Sequence, residues 1–338
     1  MPAIWFPTVR TGTGTDVFTE RLAAGLQTCG IRTEITWLPL RAEFAPWAVP
    51  APPAPRWATI CHINTWLHPR FIPEHLPVVA TLHHSIHDPA LRRYKGHLRT
   101  AYHRWWISSI ERDTLRRADR VVAVSDFVAD VARRNLCDVP MQMIHNGADT
   151  IRFHPAHHAR TPGGPFRLLY VGSWMARKGV DLLSPVMREL GSGFELHYTG
   201  GRAADKDRSG MPSNMFDLGR LSEPQVVHAM QSADAFLFLS RSEGLPLVAV
   251  EALACGLPVI GMQGTSVSEV VTHGVTGALC IREDVLDIAA AVRRMAADEC
   301  LHRIQRQAAR DIATARFSFT QMVEAYVRVY STMNEASA

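Results

Sequence analysis

Two carboxylates with seven residues between them stand in a largely apolar segment, S-R-S-E-G-L-P-L-V-A-V-E-A-L-A-C-G-L-P-V-I (240–260). Glu243 follows a strand predicted over 235–239, and Glu251 lies inside a helix predicted over 247–255. A helix that is apolar on every side is typical of a protein core, where an ionised carboxylate is costly unless hydrogen-bond donors meet it. We therefore predict that polar groups meet Glu251 and that both carboxylates point into one crevice.

A glycine-containing loop near the N-terminus could bind an anion. The run T-G-T-G-T-D (11–16) follows the first predicted strand and places Gly12 and Gly14 at the start of a helix. Free N–H groups and the helix dipole favour phosphate at such a position. Val17 occupies the last position of the G-x-G-x-x-G fingerprint, so the complete dinucleotide motif is absent. A tight turn between strand and helix, without a ligand, is the alternative.

A second loop, V-G-S-W-M-A-R-K-G (171–179), carries the cations Arg177 and Lys178. The loop follows a strand predicted over 167–171, and open α/β sheets bind ligands at the carboxyl ends of their strands. Lys is rare among the 36 basic residues of this chain, which indicates that Arg is used at generic surface positions. We predict that the pair binds phosphate, and a solvated surface pair is the alternative.

These loops need strands and helices to position them. Short apolar runs alternate with helical patterns along the chain, which is typical of parallel sheets in α/β domains. The predicted strands are 3–6, 33–38, 58–63, 78–82, 121–124 and 142–144 in the first half, and 167–171, 194–198, 216–218, 235–239 and 258–261 in the second. They predict two Rossmann-like, doubly wound domains, 1–157 and 158–317. The Pro-, Gly- and His-rich segment 154–165 is the predicted linker, and a helix near 318–335 is expected to pack on the first domain.

The composition is that of a globular protein. The chain has 338 residues, 47% hydrophobic and 20% charged, which is enough for two cores of ordinary size. Its six Cys form no C-x-x-C pair and no zinc spacing, which favours a reducing cytoplasm. A signal peptide and a membrane-spanning run are both absent from the sequence, so we expect a cytoplasmic protein. The net charge is +4, but residues 161–338 hold 17 Lys and Arg against 19 Asp and Glu. This near-neutral second half, without a nucleic-acid-binding motif, argues against nucleic acid as a partner.

One segment of the first half, 91–117, is both basic and aromatic. Its eight Lys and Arg residues are interleaved with Tyr94, Tyr102, Trp105 and Trp106. Such a segment is typical of a surface that binds a membrane or an anionic acceptor. An amphipathic helix whose aromatic residues belong to the core is the alternative.

A D-x-D string, Asp205-Lys206-Asp207, could hold a divalent metal ion if it ended an apolar strand. It lies instead in the charged run G-G-R-A-A-D-K-D-R-S-G (200–210), which is typical of a solvated loop. We therefore predict that the protein requires no metal.

Taken together, these runs resemble the retaining glycosyltransferases of glycosyltransferase family 4. The segment E-G-L-P-L-V-A-V-E (243–251) is similar to their E-x7-E motif, and similar runs are V-V-A-V-S-D-F (121–127), M-I-H-N-G-A-D-T-I-R-F-H-P (143–155), Y-V-G-S-W-M-A-R-K-G (170–179) and S-E-V-V-T-H-G-V-T-G-A-L (268–279). The resemblance implies the GT-B fold, in which two Rossmann-like domains face each other across a cleft. It also implies transfer of a sugar from a nucleotide diphosphate sugar to a hydroxyl acceptor, with retention of configuration and without a metal.

The resemblance implies a role for each donor-side residue. Glu251 would accept hydrogen bonds from the ribose hydroxyls, and Glu243 would lie beside the donor sugar. Lys178 would bind the diphosphate and stabilise the charge that grows on the leaving group. The backbone that faces the sugar hydroxyls would be that of Gly244, Leu245, Pro246 and Leu247.

Two positions leave alternatives open. His83, in T-L-H-H-S, is similar to a family His that lines the sugar pocket from the first domain, and the adjacent His84 is a rival. Ser173 stands where the family usually has the first Arg of its diphosphate pair, so either Arg177 substitutes for that Arg or phosphate binding is weaker.

The resemblance further implies a UDP- or GDP-sugar donor and a place in polysaccharide, lipopolysaccharide or glycolipid assembly. The acceptor would be a hydroxyl, with a lipid-linked or anionic glycan as the candidates, and 91–117 would provide peripheral contact with the inner face of the membrane. Other functions on the same fold are a nucleotide-sugar epimerase, a phosphorylase and a non-catalytic binding subunit.

Overall fold

A computed structural model describes residues 1–84, 86–94, 96–156 and 163–336, with the side chains of 90, 92, 335 and 336 left out. Two compact units are present. The first comprises Met1–His145 together with the chain from Thr320 onward, and the second comprises Asn146–Phe319.

The first unit is built on a six-stranded parallel sheet of order β2-β1-β3-β4-β5-β6. Its strands are β1 (Ala3–Val9), β2 (Arg32–Leu38), β3 (Ile60–Asn64), β4 (Val78–Leu82), β5 (Arg120–Ala123) and β6 (Gln142–Met143). Its helices are α1 (Gly14–Thr28), α2 (Arg41–Phe44), α3 (His97–Tyr102), α4 (Ser108–Arg117), α5 (Asp126–Asn135) and α12 (Phe319–Ala336), with a π-helical turn at His103–Ile107. Strand β4 is buried along its whole length, as a parallel strand covered on both faces must be.

The second unit has a parallel sheet of order β12-β11-β10-β7-β8-β9. Its strands are β7 (Phe166–Tyr170), β8 (Phe194–Tyr198), β9 (Met215–Asp217), β10 (Ala235–Phe238), β11 (Val259–Met262) and β12 (Gly277–Cys280). Its helices are α6 (Val180–Leu190), α7 (Glu223–Gln231), α8 (Leu247–Ala254), α9 (Val267–Val270), α10 (Val285–Ala297) and α11 (Glu299–Arg316).

The predicted α/β class with two parallel sheets is confirmed. Strand β12 at the edge of the second sheet is absent from the prediction because its four residues, G-A-L-C, carry a weak strand pattern. Helix α1 follows the predicted pattern, since Phe18, Leu22 and Leu26 are buried. The helix ends at Thr28, and the chain turns away at Gly30, whose φ of 76° glycine adopts without strain.

The chain returns to the first unit through α12. Tyr326 and Tyr330 of this helix are fully buried, and their hydroxyls bind Thr81 at 3.1 Å and His62 at 2.5 Å. These bonds join the end of the chain to strands β3 and β4.

The predicted boundary between 157 and 158 lies outside the described residues, as does half of the predicted linker, 157–162. Residues 146–156, which the sequence pattern assigns to the first domain, belong to the second compact unit. The reason is a buried anchor: Phe153 is 1% exposed, and the Arg310 guanidinium of α11 donates to the carbonyls of Thr150 at 3.0 Å and Phe153 at 2.9 Å.

None of the helices in the described part of the chain is both long enough and apolar enough to cross a membrane.

Candidate functional site

Two loops at the carboxyl edge of the second sheet bring three of the predicted donor-side residues, Arg177, Lys178 and Glu243, together. The loop 171–179 connects β7 to α6, and the loop 239–246 connects β10 to α8. Strands β7 and β10 are parallel neighbours, so their loops emerge side by side at one edge. This adjacency places Arg177 and Lys178 against Glu243, although 65 residues separate Lys178 from Glu243 in sequence.

Glu243 is held by three groups. The Lys178 ammonium donates a hydrogen bond to Glu243 Oε1, Ser240 Oγ donates to the same oxygen at 2.5 Å, and Arg177 Nη1 lies 3.9 Å away. The Glu243 side chain is 13% exposed. Burial disfavours its ionised form, but the charges of Lys178 and Arg177 outweigh that effect, so the pKa of Glu243 lies below its usual value. The result is an ionised carboxylate beside two cations.

Arg241, to which the sequence pattern assigns no role, ties the two loops together. Its guanidinium is 3% exposed and forms a bidentate pair with Asp181 of α6 at 2.7 and 2.8 Å. Its Nε donates to Glu283 at 2.9 Å, and Nη1 donates to the carbonyl of Ala176. The only sequence signal for this role is the presence of an Arg between the end of β10 and Glu243. Its partners come from distant segments of the chain.

Glu283 has an unusual backbone. Its φ of 64° is the only positive value at a non-glycine residue among those the structure describes. Such a conformation costs about 1–3 kcal/mol and persists where neighbouring contacts hold it. The ion pair with Arg241 is such a contact, so the clamp on the Lys178 loop includes a strained residue.

Gly179 lets the Lys178 loop lie against β10. Its φ is 77°, and a Cβ at this position would stand 2.0 Å from the carbonyl oxygen of Leu239. Both observations require glycine, because any side chain would push the loop away from the strand end. The close approach fixes the height of Lys178 above the sheet.

Helix α8 is not buried on every side, which corrects the expectation for this segment. Five of its eight residues are buried, but Leu247, Val248 and Glu251 are partly exposed. These three lie on one side of the first two turns, so Glu251 is partly exposed rather than enclosed in the core. Burial and the nearby Glu251 carboxylate raise the pKa of Cys255, one turn later, to about 12.

The segment before α8 is packed into the second unit. Gly244, Leu245 and Pro246 are buried, and the Pro246 carbonyl accepts from the first helical amides at Ala249 and Val250. Ser266 Oγ donates to the carbonyl of Glu243 at 3.1 Å. The backbone that carries Glu243 is therefore held on both sides.

Ser173 and the D-x-D string lie at the periphery of these loops. Ser173 is exposed, and its carbonyl accepts from the hydroxyl of Tyr170 at 2.9 Å. Asp205 and Asp207 are exposed, with Asp207 accepting from Trp174 Nε1 at 2.7 Å. Among the described residues, no group of three or more His, Cys, Asp or Glu could hold a metal ion.

In the first unit, His83 follows β4 and is partly buried. Its Nε2 lies 2.8 Å from Asn64 Oδ1, and the ring of Phe18 packs edge-on with centroids 4.4 Å apart. Burial lowers the pKa of His83 to about 3, so the imidazole is neutral at physiological pH. The choice between His83 and His84 as the sugar-facing residue stays a prediction.

The glycine loop of the first unit is closed by a carboxylate that the sequence pattern does not single out. Asp16, 8% exposed, accepts from the amides of Thr11 at 3.0 Å and Gly12 at 2.7 Å, and from the Thr11 hydroxyl at 2.9 Å. Gly14 begins α1. A phosphate at these amides would have to displace Asp16.

Part of the basic aromatic segment is exposed, as a binding surface would be, and part of it packs against the first unit. Trp106 is partly buried and its Nε1 donates to the carbonyl of Glu43 at 2.9 Å, whereas Trp105 is 73% and Leu98 90% exposed. Trp47, 68% exposed, packs edge-on against Trp106. We call Phe44, Trp47, Leu98, Arg99, Arg104 and Trp105 the basic aromatic surface. Lys95 and the side chain of Arg92 lie outside the described residues.

Comparison with known proteins gives two family matches. Residues 156–312 match the family "Glycosyl transferases group 1", and residues 12–152 match "Glycosyltransferase Family 4". A glycogen synthase of Mycobacterium tuberculosis is 29% identical over 290 residues, which cover 80% of this chain and 68% of that protein.

Solved structures share the fold. Sucrose-phosphate synthase from Thermosynechococcus elongatus superposes with a TM-score of 0.82 at 18% identity, covering 98% of this chain and 99% of the other. HepE of Anabaena, in complex with UDP-glucose, superposes with a TM-score of 0.72 at 16% identity, covering 97% and 99%.

Proposed function

We propose that this chain transfers a sugar from a nucleotide diphosphate sugar to a hydroxyl acceptor with retention of anomeric configuration, because each of its two halves matches a family model of glycosyltransferases. The observation that carries the proposal is the contact of Lys178 and Arg177 with Glu243 at the carboxyl edge of the second sheet. Two cations suit a diphosphate, and a carboxylate beside them suits the hydroxyls of the attached sugar.

Binding of the donor would exchange partners at this contact. A diphosphate oxygen beside the Lys178 ammonium competes with Glu243 for the same hydrogens. The carboxylate that is released keeps the hydrogen bond from Ser240 and gains capacity to accept from a sugar hydroxyl. Glu243 thus couples occupation of the phosphate position to recognition of the sugar.

The chemical step would be a substitution on one face of the sugar. The bond between the anomeric carbon and the diphosphate oxygen breaks, and the bond to the acceptor oxygen forms on the same face. The acceptor proton passes to the departing phosphate, so the step needs no protein nucleophile. Negative charge grows on the leaving oxygen, and Lys178, fixed by the Arg241 clamp and Gly179, is placed to stabilise it.

Glu251 would hold the nucleotide. It lies on the accessible side of α8 with Leu247 and Val248, where a carboxylate can accept from two ribose hydroxyls while the apolar neighbours contact the ring. In this proposal the E-x7-E spacing assigns the sugar to Glu243 and the ribose to Glu251.

Thermal shift with a panel of UDP-, GDP- and ADP-sugars tests the donor class. A ligand at 100 times its Kd adds about 2.7 kcal/mol of stability, so the correct base gives a clear rise in Tm. Nucleotide release that depends on added acceptor, with the product anomer assigned by NMR, then tests retaining transfer. Product formation without an acceptor, or an inverted anomer, would contradict the proposal.

We propose that Lys178 and Arg177 serve the diphosphate in place of a divalent cation. Transfer is then expected to continue at full rate in EDTA. Loss of activity in EDTA that manganese or magnesium restores would show that a metal is required.

The basic aromatic surface would carry the acceptor or the membrane that holds it. Exposed Trp47, Leu98 and Trp105 beside Arg99 and Arg104 suit the interface of an anionic bilayer, where aromatic rings enter the headgroup region and cations bind its phosphates. Binding to vesicles should rise with the fraction of anionic lipid and fall with salt. Absence of binding at every salt concentration would leave the surface without this role.

A further inference from the structure

We infer that Asn64, oriented by Thr19, holds His83 in the tautomer that carries its proton on Nε2, so that Nδ1 is left as an acceptor for a hydroxyl group. Asn64 and Thr19 would thus be positioning residues. The identity of the hydroxyl as one of a sugar rests on the proposed function, whereas the tautomer does not.

The orientation of Asn64 follows from Thr19. Thr19 Oγ1 lies 3.0 Å from the carbonyl oxygen of Thr15, one turn earlier in α1. A carbonyl only accepts, so the Thr19 hydroxyl donates its single hydrogen there. The same oxygen is 3.4 Å from the side-chain nitrogen of Asn64 and can only accept from it. Thr8 Oγ1, 2.9 Å from that nitrogen, is a second acceptor.

The orientation of Asn64 in turn fixes the proton on His83. With Nδ2 directed to Thr19 and Thr8, the Asn64 oxygen Oδ1 faces His83 Nε2 at 2.8 Å. An amide oxygen has no hydrogen to give, so Nε2 must be the donor. Because burial keeps the imidazole neutral, the other nitrogen, Nδ1, carries a lone pair.

The free lone pair limits what His83 can bind. Among the described residues, no hydrogen bond to His83 Nδ1 is found, and Phe18 packs against the ring edge-on. Ionised phosphate and carboxylate oxygens only accept hydrogen bonds, so they gain nothing from a second acceptor. A hydroxyl can donate to Nδ1. His83 would therefore select a hydroxyl and reject the phosphates of the same donor.

The arrangement joins four elements of the first unit. Thr8 lies on β1, Thr19 on α1, Asn64 at the end of β3, and His83 just beyond β4. Thr8 and Thr19 are buried, at 5% and 2% exposure, so water does not compete readily for Asn64. The tautomer is thus set by packed secondary structure, before any substrate arrives.

NMR of the full chain labelled with 15N-histidine tests the inference directly. Long-range proton–nitrogen correlations distinguish the two tautomers, and loss of one signal set in His83→Gln assigns His83 among the 16 histidines. The ligand-free protein is expected to show the proton on Nε2. A proton on Nδ1, or an equal mixture of tautomers, would overturn the inference.

Variants of Asn64 and Thr19 test which residues impose the tautomer. Asn64→Leu removes the acceptor and Thr19→Val releases the amide to rotate, so both are expected to give a mixed tautomer. Asn64→Asp keeps an acceptor and should keep the proton on Nε2, which supplies a reading if the Leu variant does not fold. Thr114→Val is the matched control, since Thr114 is equally buried in this unit and donates to the Leu67 carbonyl instead. An unchanged tautomer in Asn64→Leu and Thr19→Val would remove both residues from this role.

Titration with UDP and then UDP-glucose tests the hydroxyl. The Nδ1 signal of His83 should move with UDP-glucose and stay in place with UDP alone. Movement with UDP alone would contradict selection of a hydroxyl. Absence of binding by UDP-glucose counts against the proposed donor and leaves the ligand-free tautomer as the decisive measurement, so the two failures are distinguishable.

Discussion

The glycine-containing loops of the two units have the same backbone layout but differ in the charged groups that they bind. Each connects a parallel strand to a helix, and each has a glycine with positive φ, Gly12 in the first and Gly179 in the second. In the first loop the amides of Thr11 and Gly12 bind the chain's own Asp16 carboxylate. In the second loop Lys178 points at Glu243, a residue from the next strand-end loop.

The difference shows that a glycine-containing turn before a helix does not by itself make a phosphate site. Whether such a loop can bind phosphate depends on the group that pairs with its polar atoms. In the first loop, a carboxylate four residues further along the chain accepts hydrogen bonds from the backbone amides. Those amides are therefore already occupied. In the second loop, a cation pairs with a carboxylate from another loop and can exchange that carboxylate for a diphosphate. The second loop is therefore suited to a ligand that binds and dissociates.

The largest effect is expected at Lys178. Lys178→Met removes a cation placed at the leaving group, and loss of one such stabilising group lowers kcat by about 10²- to 10³-fold. Lys206→Met is the matched control, because Lys206 is exposed in a neighbouring loop. Steady-state transfer rates for both variants check the comparison, and equal, small changes would show that Lys178 takes no part in the reaction.

Arg241→Met tests whether the second loop depends on its clamp. Removing a buried guanidinium leaves Asp181 and Glu283 without their shared cation, which is expected to lower the free energy of unfolding by about 3 kcal/mol, the lower end for a buried pair, because both carboxylates keep some contact with water. Arg293→Met, which breaks an exposed pair with Glu189, should cost less than about 1 kcal/mol. Denaturant unfolding measures both, and a similar cost in each variant would assign Arg241 no special role.

Glu251→Gln is expected to weaken nucleotide binding by about 1.5–3 kcal/mol, the range for a hydrogen bond to a charged group. The fold should keep its stability, because Glu251 lies on the accessible side of α8. Glu243→Gln should spare UDP affinity and depress transfer, since that residue is assigned to the sugar. Calorimetric titration of UDP into both variants separates the roles. Unchanged affinity in Glu251→Gln together with a collapsed Tm would instead make Glu251 a structural residue.

The smallest effect is expected at Asp16, in the loop of the first unit. Asp16→Asn removes the charge that three donors bind but keeps one amide oxygen, so the free energy of unfolding should fall by about 1–2 kcal/mol. Affinity for UDP should not change. Asp130→Asn, at an exposed site on α5, is the control for loss of a carboxylate. A gain in UDP affinity in Asp16→Asn would mean that the first loop is a phosphate site that Asp16 blocks.

The sequence alone determined the elements of this protein. Strands of parallel sheets in α/β domains read as short, mostly apolar runs, so eleven of the strands follow from local pattern. The same kind of pattern predicts α1 with its Gly30 stop and the strand ends that carry Lys178 and Glu243. Local pattern also predicts two glycine loops and a helix with one carboxylate. These features are encoded within a few residues, where spacing and propensity are sufficient.

Only the tertiary structure decided how those features are used. Arg241 meets Asp181 and Glu283 because adjacent parallel strands deliver distant loops to one edge, and no local spacing records that neighbourhood. The same holds for Asn64 between Thr19 and His83, and for the accessible side of α8, which depends on which faces other elements cover. A pattern of residue types fixes what a segment can bury. The packing of elements that lie far apart in the chain determines which charged groups meet and which side of a helix stays open to a ligand.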